Sequence, residues 1–455
     1  MPVSSSVVTL AISLGTRGTN AAPFGTPAIF GKCPAAIGGG REYELSTEGL
    51  SDMVTDGFLV TDRVYLLAQS MASQSPHATN FIAFPRALLT TSVVHWTPLV
   101  TTEGTIYSFT LTYKTVSADI TYTVGAAATV DIICDAVMVL INASAVFAAG
   151  ITAAGDAGTA TKLVLTGGTT GQPVLVSGQN PALATVLDAS TDPGLSADLA
   201  AAAAWSGINN SPFYRFVIDS QGEIENNAAA VWAEANSNRF YAHSNDSTNV
   251  VDAAGTGVGN DFFTAAYNRS VVVQNGDSDG NTAACAVSQA AASNPGEYGA
   301  AFKVFSGPTA DPLTSSQLSN AEGKNILVYA LDNGSGHTFF GKAASGRALR
   351  VQDAIDIIDA RVREAILSVF LSNNYVPMSD EGATMMKAAV YSTLLSFEKK
   401  GGTGFIEPGS ITVTVPRRSA MSTSDVTAGR LTPLRFGCVI PNDMLRVVVQ
   451  GTVSL

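Results

Sequence analysis

The chain is 455 residues long, 46% apolar and only 14% charged, with 25 Lys and Arg against 37 Asp and Glu and a net charge of −12. That length divides into several domains, the apolar fraction is enough for real cores, and the acidic balance argues against a free nucleic-acid binder. A charge fraction well below the roughly 25% of ordinary globular proteins predicts that much of the surface is covered, as repeated subunit contacts would cover it.

The charge is unevenly spread. From Ser345 on there are 12 Lys and Arg against 10 Asp and Glu, or +2, so residues 1–344 carry 13 against 27, or −14. The cysteines Cys33, Cys134, Cys285 and Cys438 are scattered and none makes a C-x-x-C pair. With His scarce, a zinc site is not expected, and the thiols read as reduced side chains of a cytosolically made protein. Cys33 and Cys438 lie near the two ends, which leaves a cross-subunit disulfide open. The start, M-P-V-S-S-S, lacks a positive region followed by an apolar run, so no export signal is expected. No stretch of about 18 apolar residues is present to span a membrane.

In chain order, Val8, Leu10, Ile12 and Leu14 alternate with Val7, Thr9, Ala11 and Ser13, which predicts a strand. Gly15–Pro27 reads as an extended linker, so 1–27 is a strand on an arm. Residues 28–96 are the first part of a core domain. A helix runs from near Asp62 to Gln74-Ser75-Pro76, and a strand follows at Phe81–Arg86, an α/β order. Composition changes near Trp96–Pro98. Thr101–Thr123 forms a hairpin. Thr129–Ala149 is a helix with Val130, Ile133, Val137, Leu140, Ile141 and Ala145 on one side, and Lys162–Thr166 and Pro173–Ser177 are strands. Residues 97–190 are thus an inserted β-β-α-β-β domain.

The core resumes over 191–344. An Ala-rich helix at Pro193–Trp205 precedes a strand at Phe213–Ser220. A helix at Glu223–Asn236, with Ile224, Ala228, Val231, Trp232 and Ala235 inward, then leads to a strand at Arg239–His243. This order predicts a parallel βαβ unit. Asn268–Gln274, a helix at Thr282–Ala292, and strands at Phe302–Phe305 and Asn325–Leu331 continue it. Thr338–Phe340 and Lys342 lead into the final domain, 345–455.

That last domain carries the strongest pattern. A long helix over Val351–Leu371 places Val351, Ile355, Ile358, Val362, Ile366 and Val369 in one stripe, with Asp359 and Arg363 one turn apart and able to pair. A second helix, Glu381–Phe397, ends at Lys399-Lys400-Gly401-Gly402. Ser410–Pro416 alternates as a half-buried strand, and Leu445–Val453 is another, close to the last residue. A β-prone strand at a terminus is an unpaired edge that recruits partners. Pairing within its own domain and donation to a neighbouring subunit by β-augmentation both fit this pattern.

Motifs for chemistry are absent. No nucleophile elbow, P-loop or dinucleotide fingerprint sits in a suitable context. His77, His95, His243 and His337 have no partner at ligand spacing. In N-G-D-S-D-G-N, residues 275–281, Asn275, Asp277 and Asp279 resemble half a calcium loop. The twelfth position is Ala286, where the bidentate Glu belongs, so a turn is favoured. Gly334–His337 reads as a hairpin turn, and Trp205 and Trp232 as core packing. No catalytic, cofactor-binding or metal-binding residue is assigned, and no cofactor or enzymatic activity is expected.

Four stretches resemble one family, the contractile-tail sheath proteins of tailed bacteriophages, in particular an uncharacterised-domain branch found in myophage genomes. They are V-T-D-R-V-Y with the downstream Q-S-P (60–65 and 74–76), A-A-A-V-W-A-E-A (228–235), A-A-S-G-R-A-L-R-V-Q-D-A-I-D (343–356), and the tail from F-I-E-P-G-S-I-T-V-T-V-P through R-L-T-P-L-R-F to V-V-V-Q-G-T-V. The resemblance implies a multidomain α/β and α+β chain, an α/β core with an inserted β-rich domain and terminal strands that augment a neighbour's sheet. It implies a structural subunit that stacks as hexameric rings around a tail tube and contracts to drive the tube through a host envelope for genome delivery. The donated strands would be centred on Val8, Leu10, Ile12 and Leu14 and on Leu445, Val447, Val449 and Val453. The acceptor would include Ile411, Val413 and Val415, and Arg347, Arg350, Arg361 and Arg363 would be candidates for tube contact. Implied partners are further copies of the chain, the tube protein, and baseplate and tail terminator proteins, with no nucleic acid and no membrane. The implied location is the virion tail, assembled in the host cytoplasm. A tail tube or baseplate structural protein is the nearest alternative. A secreted adhesin or surface-layer protein would share the acidic, Gly/Thr-rich, Cys-poor composition but would need an export signal.

Overall fold

The computed structural model describes residues 24–86, 92–113, 116–155, 161–168, 174–180, 182–188, 195–246, 248–253, 257–276, 281–400 and 403–441. The expected strands Val7–Leu14 and Leu445–Val453, and Asp277 and Asp279, lie outside these residues. The described chain divides into two units. One is Pro23–Asn294 with Ala300–Leu349, and the other is Pro295–Gly299 with the chain from Arg350 on.

The first unit begins with β1 (Ala28–Gly31), β2 (Arg41–Glu44), α1 (Thr47–Thr55), α2 (Arg63–Ala72) and β3 (Asn80–Pro85). Next come β4 (Val93–Pro98), β5 (Ile106–Tyr113), β6 (Val116–Thr123), α3 (Val130–Asn142), α4 (Ala145–Ala148), β7 (Ile151–Gly155), β8 (Leu163–Gly167), β9 (Val174–Ser177) and β10 (Ala184–Asp188). The chain continues through α5 (Leu195–Asn209), β11 (Arg215–Ile218), α6 (Glu223–Asn236), β12 (Arg239–Ser244), α7 (Thr248–Val251), α8 (Val258–Ala265), β13 (Ser270–Gln274) and α9 (Asn281–Ala292). It closes with α10 (Ser315–Gly323), β14 (Leu327–Asp332) and β15 (Ser335–Phe339).

Eight strands form one sheet in the order β15-β14-β13-β12-β11-β1-β3-β2. The expected parallel arrangement is present: β11, β12, β13 and β14 are parallel neighbours. β1, parallel to β3 on one side and β11 on the other, sits in mid-sheet. It is four residues long and buried throughout, so it has no alternation to announce it in the sequence. Aromatic rings fill the core face. Phe30 stacks on Phe84 at 5.1 Å and Phe216 on Phe240 at 4.9 Å.

Two expectations in this core are corrected. α6 does not turn Ile224, Val231 and Ala235 inward; all three are exposed, and Ala229, Ala230 and Ala233 face the core with Glu225 and Asn226. The helix has small apolar residues on every side, so its period fixes no face, and alanines let it approach the sheet closely. Trp232 is where packing was expected, stacked on Phe213 at 6.2 Å. Phe302–Phe305 is not a strand. Two backbone bonds tie it to β15, from Phe302 N–H to Thr338 O at 2.7 Å and from Thr338 N–H to Lys303 O at 2.9 Å. The left-handed backbone of Phe302 (φ +60°) breaks the extension there. The 334–337 turn is sharper than expected. Asn333 and Gly334, both at positive φ, make the two-residue turn, and Ser335–His337 already belong to β15.

The residues between β3 and α5 are richer than the expected β-β-α-β-β. Two sheets form, β10-β4-β8-β7 and β6-β5-β9. Their cluster of buried side chains is built around Trp96, Tyr107, Phe109 and Leu165. β4, with its alternating burial, the small-residue strand β7 and the strand β10 were not expected. The expected helix over Thr129–Ala149 is two, because Ser144 starts α4 anew. Of its stripe, Ile133, Val137 and Ile141 are buried and Leu140 is exposed.

The second unit contains α11 (Leu349–Ser372, whose first residue belongs to the first unit), α12 (Asp380–Ser396), β16 (Thr412–Thr414), α13 (Thr423–Thr427) and β17 (Arg435–Gly437). α11 buries Val351, Ala354, Ile357, Ile358 and Val362, while Ile355, Ile366 and Val369 are half-buried. Its far end is exposed. Phe397 stacks on Phe405 at 5.1 Å, and Gly404 N–H donates to Glu297 Oε1 at 2.5 Å.

Candidate functional site

The surfaces expected to act are surfaces of assembly. The donor strand residues Val8, Leu10, Ile12, Leu14, Leu445, Val447, Val449 and Val453 lie outside the described residues. The acceptor residues Ile411, Val413 and Val415 flank and form β16. Val413 is buried, Ile411 and Val415 are half-buried. β16 pairs antiparallel with β17, matching Thr412 to Gly437, Val413 to Phe436 and Thr414 to Arg435. This is a two-stranded sheet with no further described strand on either edge. An isolated ribbon is marginal in water without a further strand or a helix packed on it, and here α12 packs against β16.

The four arginines differ in their surroundings. Arg347 is exposed ahead of α11. Arg350 donates to Gly296 O at 3.4 Å and to Pro441 O, so it fastens the start of α11. Arg361 pairs with Glu364 at 2.6 Å and Arg363 with Asp359 at 2.9 Å, the second pair being the one the spacing predicts. Two residues apart on a helix, Arg361 and Arg363 point in nearly opposite directions. An open groove of about 490 Å³ between α11 and α12 is lined by Arg361, Glu364, Ser368, Ser392, Thr393 and Phe397. The Ser392 and Thr393 hydroxyls donate to Ala389 O, so they are occupied by their own helix. Nothing in the residue pattern announced the uncharged surface at the end of α11 and just past it, where Leu371 and Tyr375 are each 76% exposed.

The remaining polar residues of interest serve the fold. Asn275 donates to Thr309 O at 2.9 Å and accepts from Thr282 Oγ1 at 3.1 Å. His337 is stacked between Phe302 and Phe339. No disulfide links the four cysteines. Burial pushes the Cys33 thiol far up, with Asp219 and Asp62 adding to it, and burial also raises Cys438. Thiols held protonated in this way are poor partners for disulfide exchange. Among the described residues no group of three or more His, Cys, Asp or Glu is placed to hold a metal ion, and no helix is long and apolar enough to cross a membrane.

No family model and no curated protein matches the sequence. Solved structures do match the fold. A chain of the PVC sheath complex, an extracellular contractile injection system in the contracted state, has a TM-score of 0.52 at 10% identity, covering 100% of this chain and 99% of that one. A chain of the anti-feeding prophage helical sheath in the contracted state has a TM-score of 0.51 at 9% identity, with full coverage of both chains. A chain of the six-fold symmetrised anti-feeding prophage baseplate gives 0.51 at 10%, again over both whole chains. The described residues therefore share the fold of these chains.

Proposed function

We propose that this protein is the structural subunit of a contractile sheath, polymerising with copies of itself around a tail tube and shortening to drive that tube through a host envelope. The carrying observation is full-length likeness, over both chains, to the sheath chains of two contracted injection systems. The composition fits, since a large chain with 14% charged residues is suited to a lattice in which most surface is covered. In the finer reading, stacked hexameric rings are linked by strands exchanged between neighbours. Val7–Leu14 and Leu445–Val453 are donated, and β16 with its flanks Ile411 and Val415 receives. The two-stranded β16–β17 sheet supports that role, because among the described residues no further strand pairs with either edge. Tube, baseplate and terminator proteins are the partners this reading names, and the phage setting and genome delivery belong to it as well.

Negative-stain microscopy of the purified full-length chain over a concentration series tests the reading. Hollow tubes of stacked rings, wide enough to enclose a second tube, are the expected result. Dispersed monomers at every concentration, with an inner tube added, would sink it.

A further inference from the structure

The last described stretch has no core of its own. From Thr414 to Pro441 not one residue is buried. Fixing a backbone costs conformational entropy at every residue, and a segment with no fully buried side chain recovers little of it alone. Its chemistry is one-sided. It holds Arg417, Arg418, Arg430 and Arg435 against Asp425, or 4 − 1 = +3. Arg430 is paired with Asp425 at 2.6 Å. The side chains of Arg417, Arg418 and Arg435 have no carboxylate partner among the described residues, and all three are exposed. Met421, Val426, Leu431 and Leu434 are only half-buried beside them.

The opposite character is found on β2 and α1, at one edge of the eight-stranded sheet. Residues 41–60 hold Glu42, Glu44, Glu48, Asp52 and Asp56 against Arg41, or 1 − 5 = −4. Arg41 is paired with Asp56 at 2.7 Å. Glu48 and Asp52, one helical turn apart, are exposed and have no cationic partner among the described residues. Beside them Val54, Leu59 and Val60 are 45%, 53% and 57% exposed.

We propose that the basic segment Val415–Arg435 of one copy lies on the acidic β2–α1 face of a neighbouring copy. The charges of the two surfaces are complementary and each carries exposed or half-exposed apolar side chains, so a second copy supplies what both lack. The contact is head-to-tail, the kind that repeats into rings or helices and does not stop at a dimer. The inference rests on the self-assembly reading above.

Sedimentation velocity on the full-length chain tests it, with Arg417→Glu/Arg418→Glu, Glu48→Arg/Asp52→Arg and the four-site charge swap compared with wild type. Each double reversal should raise the concentration needed for assembly about tenfold, and the swap should restore it to within about threefold. Gln at the same two pairs of sites gives a weaker loss of the same sign, and keeps the test readable if a reversal unfolds. Wild-type chain that assembles alongside folded double variants that assemble equally well overturns the contact and leaves the sheath reading standing, as does a swap that fails to restore assembly. Wild-type chain that stays monomeric at every concentration overturns the self-assembly reading, and this contact with it.

Discussion

Lys324 is 3% exposed, and its ammonium donates to Asp252 O at 2.6 Å, Asn249 O at 3.2 Å and Thr248 O at 3.4 Å. These carbonyls belong to and follow the one-turn helix α7, too short to supply donors for its last carbonyls; Thr248 O also accepts from Asp252 N–H at 3.3 Å. Burial lowers the lysine pKa, with Asp252 and Asp246 opposing that shift. Lys324→Met keeps the stem and removes the donors, and should cost about 2–3 kcal/mol in chemical denaturation. Glu223 shows the opposite sign of shift. Burial raises its pKa first, and the Asp261 and Asp246 carboxyls raise it further. A raised carboxyl binds its proton more tightly in the folded chain, so the stability it contributes is full below its ordinary value and is lost as pH rises through the folded value. Glu223→Gln should therefore raise the melting temperature at pH 7, and the gain over wild type should shrink toward pH 4. A gain independent of pH would remove the carboxyl pair from the explanation.

Two helices begin with the same device. Ser46 and Ser379 are N-caps whose hydroxyls accept from Gly49 N–H at 3.1 Å and Gly382 N–H at 3.4 Å, three residues on. A Cβ on Gly49 would lie 2.2 Å from Glu44 O, and one on Gly382 would lie 1.9 Å from Pro377 O. The chain doubles back over the first turn two residues before the cap, and only glycine leaves room. Helix propensity alone favours Gly382→Ala by about 1 kcal/mol; we expect it instead to lower the thermal midpoint and reduce α12 helicity by circular dichroism. The existence of α12 was legible in the sequence because its period and caps are local. So were α11 and the Asp359–Arg363 pair. The inward face of α6 was not legible, because alanines satisfy any face. β1 was hidden because a short strand buried on both sides shows no period. The β16–β17 pairing was half legible: Val413 alternates with its neighbours, but its partner Phe436 lies beyond an irregular excursion.

At the scale of the molecule, the α/β order of the core follows from strand and helix alternation, while the seven strands between β3 and α5 exceeded what short Thr- and Ala-rich runs announce. The assembly surfaces were the least legible. The spacing of the four arginines says nothing of the carboxylates and carbonyls that occupy three of them. Removing Met1–Gly15 should leave a folded subunit with unchanged circular dichroism that does not form ordered tubes. Ordered tubes from that truncation would rule out donation by the N-terminal strand.

The middle position of β1 also sets a clock. Its Ala28 faces Phe216 of β11, a separation of 216 − 28 = 188 residues. At a synthesis rate of about 5–20 residues per second, β1 waits on the order of 10–40 seconds for that neighbour to emerge. Throughout that interval the apolar A-I-F-G run and its partner β3 offer one open side to any passing strand. The residues that intervene have a hydrophobic cluster of their own and can settle first. The chain thus leaves a mid-sheet apolar edge open throughout that interval, when nascent copies on adjacent ribosomes are nearest.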